Sequence, residues 1–276
     1  MPEGPEVQVV IDTLSKALKG AKISDVEVRY PKIIGETSVS FFTKQLKDQQ
    51  FIDFDRIGKY LILTLDKNRL ICHLRMEGKF YIFEKEIQES KHIHVVFYLE
   101  DGRKLCYHDT RKFGRMYLYS KEEAIRNLPP LKKLGLDFNQ EECTGAYLYA
   151  CIHPLKKNLK MALLDQTIIA GIGNIYANEI CFETHLDPRS RCSKLSKKDC
   201  DFIVEKTKTI LNHAIQCGGT TIRDYTSSLG VSGRFQIQLK VHGKKGEPCP
   251  DCGQAIDKIV VGQRGTYLCR NCQKRK

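Results

Sequence analysis

The chain has 276 residues, 41% of them hydrophobic, enough for a globular protein of one large or two ordinary domains. Lys and Arg outnumber Asp and Glu by 45 to 33, giving a formal charge of +12, the balance of a partner for a polyanion. Nucleic acid leads over a membrane surface, because no apolar run nears about 18 residues, and the acidic start Met1-Pro2-Glu3-Gly4-Pro5-Glu6 is unlike a signal peptide.

From Pro5 the apolar residues Val7, Val10, Ile11, Leu14 and Leu18 recur at helical spacing and Gly20 provides a stop, which predicts a helix from Pro5 to Leu18. Short β-rich runs follow: 22–30, 51–56, 60–65, 70–74, 79–83, 93–99, 104–107 and 115–119. Their spacing and the Asp101-Gly102 turn predict hairpins in an antiparallel sandwich. Asn127-Leu128-Pro129-Pro130 breaks the series and marks a domain boundary. Helical periodicity then takes over at 144–151, 159–165, 174–183 and 197–217, ended by Gly218-Gly219. The polar stretch from Thr220 to Gly233 reads as a long functional loop, and no internal repeat is present.

Eight of the 12 cysteines are scattered without paired spacing, which fits a reducing compartment and a cytoplasmic protein. The other four form Cys249-Pro250-Asp251-Cys252 and, sixteen residues on, Cys269-Arg270-Asn271-Cys272. Two redox pairs or chance would also give this pattern, but a single structural Zn²⁺ under a short hairpin explains the spacing better. Four thiolates close the coordination sphere, so the metal would hold structure and activate no water.

Pro2 on its own reads as a small second residue that permits removal of Met1. Once exposed, its nitrogen is a secondary amine whose attack on a sugar C1′ gives an iminium ion, an electron sink. A terminal α-amino group titrates near 8 against about 10.4 for Lys, so freeing it at neutral pH costs roughly 3 kcal/mol less. Glu3 and Glu6 stabilise a helix start on the plain reading. Beside such a nucleophile, a carboxyl is also placed to move the protons that glycosidic cleavage and β-elimination require. Gly171-Ile172-Gly173-Asn174-Ile175-Tyr176 matches part of a dinucleotide fingerprint, but Tyr176 and the preceding helical pattern reject that reading. Glycine-rich backbone opening a helix still makes an anion site, here for a DNA phosphate.

Taken together, these segments resemble the formamidopyrimidine-DNA glycosylases. The likeness runs through Pro2-Glu3 with Pro5-Glu6-Val7, Arg56-Ile57-Gly58-Lys59-Tyr60, His73-Leu74-Arg75-Met76-Glu77-Gly78, and Asp109-Thr110-Arg111-Lys112-Phe113-Gly114. It continues through Asp165-Gln166, Gly171 to Tyr176, Gly219-Thr220-Thr221, Gln263-Arg264-Gly265 and the four zinc cysteines, so it spans nearly the whole chain.

The resemblance implies an α+β chain with an N-terminal helix and antiparallel β-sandwich (1–130), a helix-two-turn-helix module (131–235) and a zinc-finger hairpin (236–276), with DNA lying between the domains. It implies Pro2 as nucleophile and Glu3 as catalytic acid, with Glu6, Lys59 and Arg264 also in the catalytic set and Lys59 near the lesion. His73, Lys160, Asn174 and Arg264 would grip phosphates, with Tyr176 also on the DNA side. Met76, Arg111 and Phe113 would fill the gap left by the extruded nucleotide. Glu77, Thr220, Thr221 and Arg223 would read the lesion. Met76 and Phe113 would otherwise be taken for core residues, Arg111 for a solvated strand end and Arg264 for a turn residue.

The implied partner is duplex DNA carrying oxidised bases or abasic sites, bound by a monomer without a membrane, in a bacterial cytoplasm and at the nucleoid when engaged. Two departures stand out. Gly4 replaces the family's usual Leu and is shared with the endonuclease VIII branch, which favours oxidised pyrimidines; His242 replaces an expected Tyr, which puts one phosphate contact in question. Two alternatives accompany excision of oxidised purines with β,δ-elimination. One is an endonuclease VIII-like enzyme, the other a non-catalytic zinc-dependent nucleic-acid binder.

Overall fold

A computed structural model describes residues 1–84, 86–87, 90–218 and 238–276. The loop expected at Thr220 to Gly233, with Thr220, Thr221 and Arg223, lies outside the described residues. The described chain divides into two compact units, Met1–Lys132 and a second built from Lys133–Cys217 and residues 238–276.

In the first unit, α1 (Gly4–Leu18) buries Val7, Val10, Ile11, Leu14 and Leu18, the stripe that its sequence period supplies. After it come β1 (Ile23–Val28), a short α2 (Val39–Leu46), β2 (Phe51–Ile57), β3 (Tyr60–Leu65), β4 (Asn68–His73), β5 (Lys79–Phe83), β6 (Ile93–Leu99), β7 (Lys104–His108) and β8 (Arg115–Ser120). They form two four-stranded antiparallel sheets, in the orders β1-β6-β7-β5 and β2-β3-β4-β8.

Alternation turns Leu61, Leu63 and Leu65 of β3 into one core with Phe97 of β6, Leu105 of β7 and the buried stripe of α1. The β2–β3 hairpin closes through Gly58-Lys59, where Gly58 takes φ +59°, a left-handed value that glycine adopts without strain. Lys59 is thereby fixed in a two-residue turn.

The second unit begins with a two-residue parallel pairing of β9 (Leu136–Asp137) with β10 (Ile169–Ala170). Its helices are α3 (Gly145–Ile152), α4 (Leu159–Leu163), α5 (Asn174–Glu183) and α6 (Lys197–Gln216). Thr144, Asn158 and Ser196 cap α3, α4 and α6 by accepting from the N–H groups of Tyr147, Met161 and Asp199. The predicted helix at 159–165 ends sooner than its pattern suggests, and Thr144 serves as cap rather than first helical residue.

β11 (Asp257–Val261) and β12 (Arg264–Leu268) form the hairpin between the cysteine pairs. Val241, Cys249, Ile256 and Cys269 share a small core with Phe182 of α5, so hairpin and helices pack as one unit.

Candidate functional site

Glu3 stands in extended backbone as the N-cap of α1 and closes a capping box with Glu6, whose Oε2 accepts from the Glu3 N–H at 2.9 Å. Pro2, Glu3 and Glu6 are all buried, so the start of the chain is held against the sandwich. Met1 lines an open cleft of about 440 Å³ with Arg75, Met76, Phe113, Arg115 and Tyr117.

Two loops reach this cleft, 74–78 after β4 and 109–114 before β8. Each turns through a non-glycine residue in the left-handed region, Arg75 at φ +55° and Lys112 at φ +57°. Beside these turns Met76 and Phe113 are 40% and 51% exposed, and the Arg111 guanidinium carbon lies 5.0 Å from the Phe113 ring centroid. Arg115 Nη1 donates to the Gly114 carbonyl at 2.7 Å and steadies the second loop from below.

His73 closes β4, buried against Tyr60 at 4.5 Å between ring centroids. Its Nδ1 accepts from the Arg75 N–H at 2.9 Å. Burial first, and then the charges of Arg75 and Lys59, push its pKa down to about 3. The ring is neutral, with Nε2–H left as a donor.

In the second unit the Lys160 ammonium is fully buried and donates to Asn178 Oδ1 (2.8 Å), the Gly265 carbonyl (3.0 Å) and Thr266 Oγ1 (2.7 Å). Asn174, first residue of α5, donates from Nδ2 to the same Gly265 carbonyl at 3.2 Å. Gly173 caps α5 without a side chain to accept from its first-turn N–H groups. Because Asn178 Oδ1 is taken by Lys160, its Nδ2 is the donor to His242 Nδ1 at 2.6 Å. Burial, then Lys160 and Lys258, push His242 down to about 4, so it too is neutral with Nε2–H left as a donor.

Glu179 accepts from the backbone N–H groups of Lys240, Val241 and His242 at 2.8, 3.1 and 2.8 Å. Arg264 is exposed and pairs with Val261 across the Gly262-Gln263 turn, both of whose residues have positive φ.

The formamidopyrimidine-DNA glycosylase N-terminal domain matches residues 1–116, the H2TH domain of the same enzymes residues 134–226, and the zinc finger found in FPG and IleRS residues 246–275. A formamidopyrimidine-DNA glycosylase of Bacillus subtilis (strain 168) is 42% identical over 277 residues, covering 100% of both chains. This chain belongs to the formamidopyrimidine-DNA glycosylase family. Among solved structures, it is similar to a Lactococcus lactis FPG mutant bound to Fapy-dG containing DNA (TM-score 0.93, 35% identity, 99% of this chain and 100% of that one). It is also similar to the Lactococcus lactis Fpg with abasic-site DNA (TM-score 0.92, 36% identity, the same coverage).

The family's zinc fits the four cysteines. Their sulfurs all lie within 4.8 Å of one another, with Cys249–Cys272 at 3.8 Å and Cys252–Cys269 at 3.5 Å. A tetrahedral ion at about 2.3 Å from each sulfur needs edges of about 3.8 Å. One structural zinc therefore belongs here, holding the hairpin that carries Arg264.

Three expectations for this glycosylase family member need correction. Lys160 spends all three ammonium hydrogens inside the protein, so it braces the hairpin turn and grips no phosphate. Tyr176 is fully buried in the helical core and is a packing residue. Glu6 accepts from the Glu3 N–H in the helix cap, so the structure shows it positioning Glu3. Met76 and Phe113 are exposed and lie outside the core. Glu77 is exposed on the first loop, and Lys59 is buried at its turn. Arg75, Arg115 and Tyr117 line the cleft without having been anticipated. Among the described residues no helix is long and apolar enough to cross a membrane.

Two outcomes follow. His73 and His242 stay neutral when folded but take up protons near pH 6.5 when unfolded, so stability falls as pH drops below about 6.5, by at most about 1.4 kcal/mol per pH unit for each ring. Melting curves at pH 7 and pH 5 should show this loss, and His73→Gln should reduce it; an equal loss in the variant would mean that His73 is not the source. Chelating zinc, or Cys249→Ser, should weaken DNA binding at least tenfold while the β-sandwich keeps its own unfolding transition. Undiminished affinity without zinc would show that the hairpin makes no contact with DNA.

Proposed function

We propose that this chain excises oxidised purines, 8-oxoguanine and formamidopyrimidines, from duplex DNA and then cleaves the strand, using the Pro2 amine exposed by removal of Met1. The observation that carries this reading is the shared cleft: the N-terminus opens on the same space as Met76 and Phe113, two apolar side chains held at the tips of loops. A nucleophile for C1′ and wedges for the vacated stack are needed together in an enzyme that works on an everted nucleotide. A zinc-dependent binder without catalysis would have no use for a Pro2 buried beside a cleft and followed by a capped helix.

The Pro2 nitrogen attacks C1′, the bond from C1′ to the base nitrogen breaks, and the departing base takes a proton. The attached nitrogen loses its proton, the C1′–O4′ bond breaks with O4′ taking a proton, and the nitrogen is left as an iminium with C1′. Glu3, one residue away and 3% exposed, is the carboxyl assigned to the proton transfers at the opened sugar oxygen. Loss of a C2′ proton expels the 3′ phosphate by β-elimination, and δ-elimination then expels the 5′ phosphate, leaving a one-nucleotide gap.

Neutral Nε2–H donors on His73 and His242 suit phosphate oxygens, as does Arg264 at its turn; His242 then supplies an N–H where a Tyr hydroxyl was expected. Asn174 stands at the uncapped start of α5, where first-turn N–H groups favour an anion. Lys59 is assigned to the lesion's side of the cleft. Lesion reading is assigned to Glu77 with Thr220, Thr221 and Arg223, and the working divisions are 1–130, 131–235 and 236–276. The scattered thiols and a genomic substrate support a bacterial cytoplasmic location, at the nucleoid while engaged.

Borohydride should cross-link the protein to DNA containing 8-oxoguanine through Pro2, since only an imine is reducible this way. Pro2→Gly should lose base excision by at least 100-fold. Peptide mapping that places the adduct on a lysine would remove Pro2 from the mechanism, and retention of Met1 in active enzyme, seen by mass spectrometry, would do the same.

Arg111 donates well to the O2 and N3 acceptors of an orphaned cytosine, whereas adenine presents a donor. A paired contact of about 1–3 kcal/mol makes single-turnover excision roughly 5- to 150-fold faster opposite cytosine than opposite adenine. Arg111→Ala should bring the two rates together. Equal rates in the wild type would defeat this role, and a strong preference for an oxidised pyrimidine would favour the endonuclease VIII-like reading.

A further inference from the structure

Tyr107 of β7 has no part in the chemistry above, yet its hydroxyl sits where both cleft loops return to the sheets. The side chain is 1% exposed and meets Phe80 edge-on at 5.3 Å between ring centroids. A β-carbon added to Gly78 would stand 2.3 Å from the Tyr107 hydroxyl oxygen, and one added to Gly114 would stand 1.7 Å from it. Neither glycine has a positive φ, so backbone conformation does not demand glycine at either place. At both places the Tyr107 hydroxyl oxygen is the nearest atom to the added carbon, joined at Gly78 by the Leu74 carbonyl oxygen at 2.6 Å and at Gly114 by the Tyr107 Cζ at 2.8 Å.

Gly78 also closes the first loop by donating to the Leu74 carbonyl at 3.0 Å. The second loop is gathered by Asp109, which is fully buried. Its Oδ1 accepts from the Arg111 N–H at 2.9 Å and its Oδ2 from the Gly114 N–H at 2.8 Å. The Tyr107 hydroxyl approaches the same Oδ2 at 3.4 Å, so it stands beside the carboxylate that gathers the second loop. Core packing alone would be met by phenylalanine, and a buried hydroxyl is costly to desolvate. The hydroxyl has a position to hold.

We infer that Tyr107 and Asp109 form one seat that sets the Met76 loop and the Arg111–Phe113 loop at a fixed separation, so that the wedges enter the DNA stack as a single unit. Tyr107 is thus a positioning residue for lesion eversion and partner-base discrimination, and it touches no substrate. The inference rests on the function proposed above.

Tyr107→Phe keeps the ring and removes only the hydroxyl. Single-turnover excision of 8-oxoguanine opposite cytosine should fall roughly 3- to 10-fold, the order of losing one buried polar contact. The cytosine-to-adenine rate ratio should shrink with it. Cleavage of a pre-formed abasic site, which needs no base extruded, should stay within about twofold, and 2-aminopurine beside the lesion should brighten more slowly as the stack opens.

Gly114→Ala should reproduce the defect, because a β-carbon and the hydroxyl 1.7 Å from it cannot share the space, and Tyr107→Phe/Gly114→Ala should recover part of that loss, the ring carbon at 2.8 Å being the smaller obstacle that remains. Unchanged excision and base ratio in Tyr107→Phe, losses that simply add in the double variant, or equal losses on abasic and 8-oxoguanine DNA would each overturn the seat while leaving the proposed function standing. A wild type that excises no oxidised purine overturns both.

Discussion

A chain terminus ordinarily frays, because nothing beyond it restrains its backbone. A nucleophile built on the terminal nitrogen has the opposite requirement, since a small misplacement at the reacting atom costs far more rate than the same error elsewhere. The Glu3–Glu6 capping box meets it by tying the N–H just beyond Pro2 to a helix whose apolar stripe is buried in the sandwich. Everything proposed for the cleft inherits its precision from that short piece of polar bonding.

In the second unit a buried cation does the corresponding work. Lys160 joins α4 to Asn178 on α5 and to Gly265 and Thr266 on the hairpin, while Glu179 gathers three successive N–H groups from the segment leading to the zinc site. Burial raises the Glu179 pKa while its three hydrogen bonds lower it. Fully paired polar networks of this kind fix one arrangement of elements, and removing a partner leaves a buried group uncompensated. The zinc and this network restrain the same hairpin from opposite ends, so Arg264 is presented from a supported turn.

The helix and strand series was legible because each element carries its own period, and the zinc site because CxxC spacing is a direct statement of geometry. The short α2 was not read: Ser38 caps it and Phe42 and Leu46 bury it, but one pair of apolar residues gives too little period to see. The DNA-side expectation for Lys160 and Tyr176 comes from the resemblance, which matches residue type at a position. Type does not reveal burial, and both point inward. Met76 and Phe113 were the reverse case, apolar residues that periodicity would place in the core and that loop backbone keeps outside it. Tyr107 left only an indirect trace, glycines at 78 and 114 whose need for a missing β-carbon becomes visible in three dimensions.

The depressed basicity of His73 and His242 also bears on how the grip on a polyanion responds to its surroundings. A lysine or arginine that meets a phosphate releases condensed cations, and the entropy of that release fades as the bulk cation concentration rises. An uncharged imidazole displaces none. On the proposed assignment, attraction through Arg264 is therefore discounted in a salty medium, while hydrogen bonds from the two neutral rings keep their worth. The proposed grip then has one component that tracks cellular ion content and another indifferent to it.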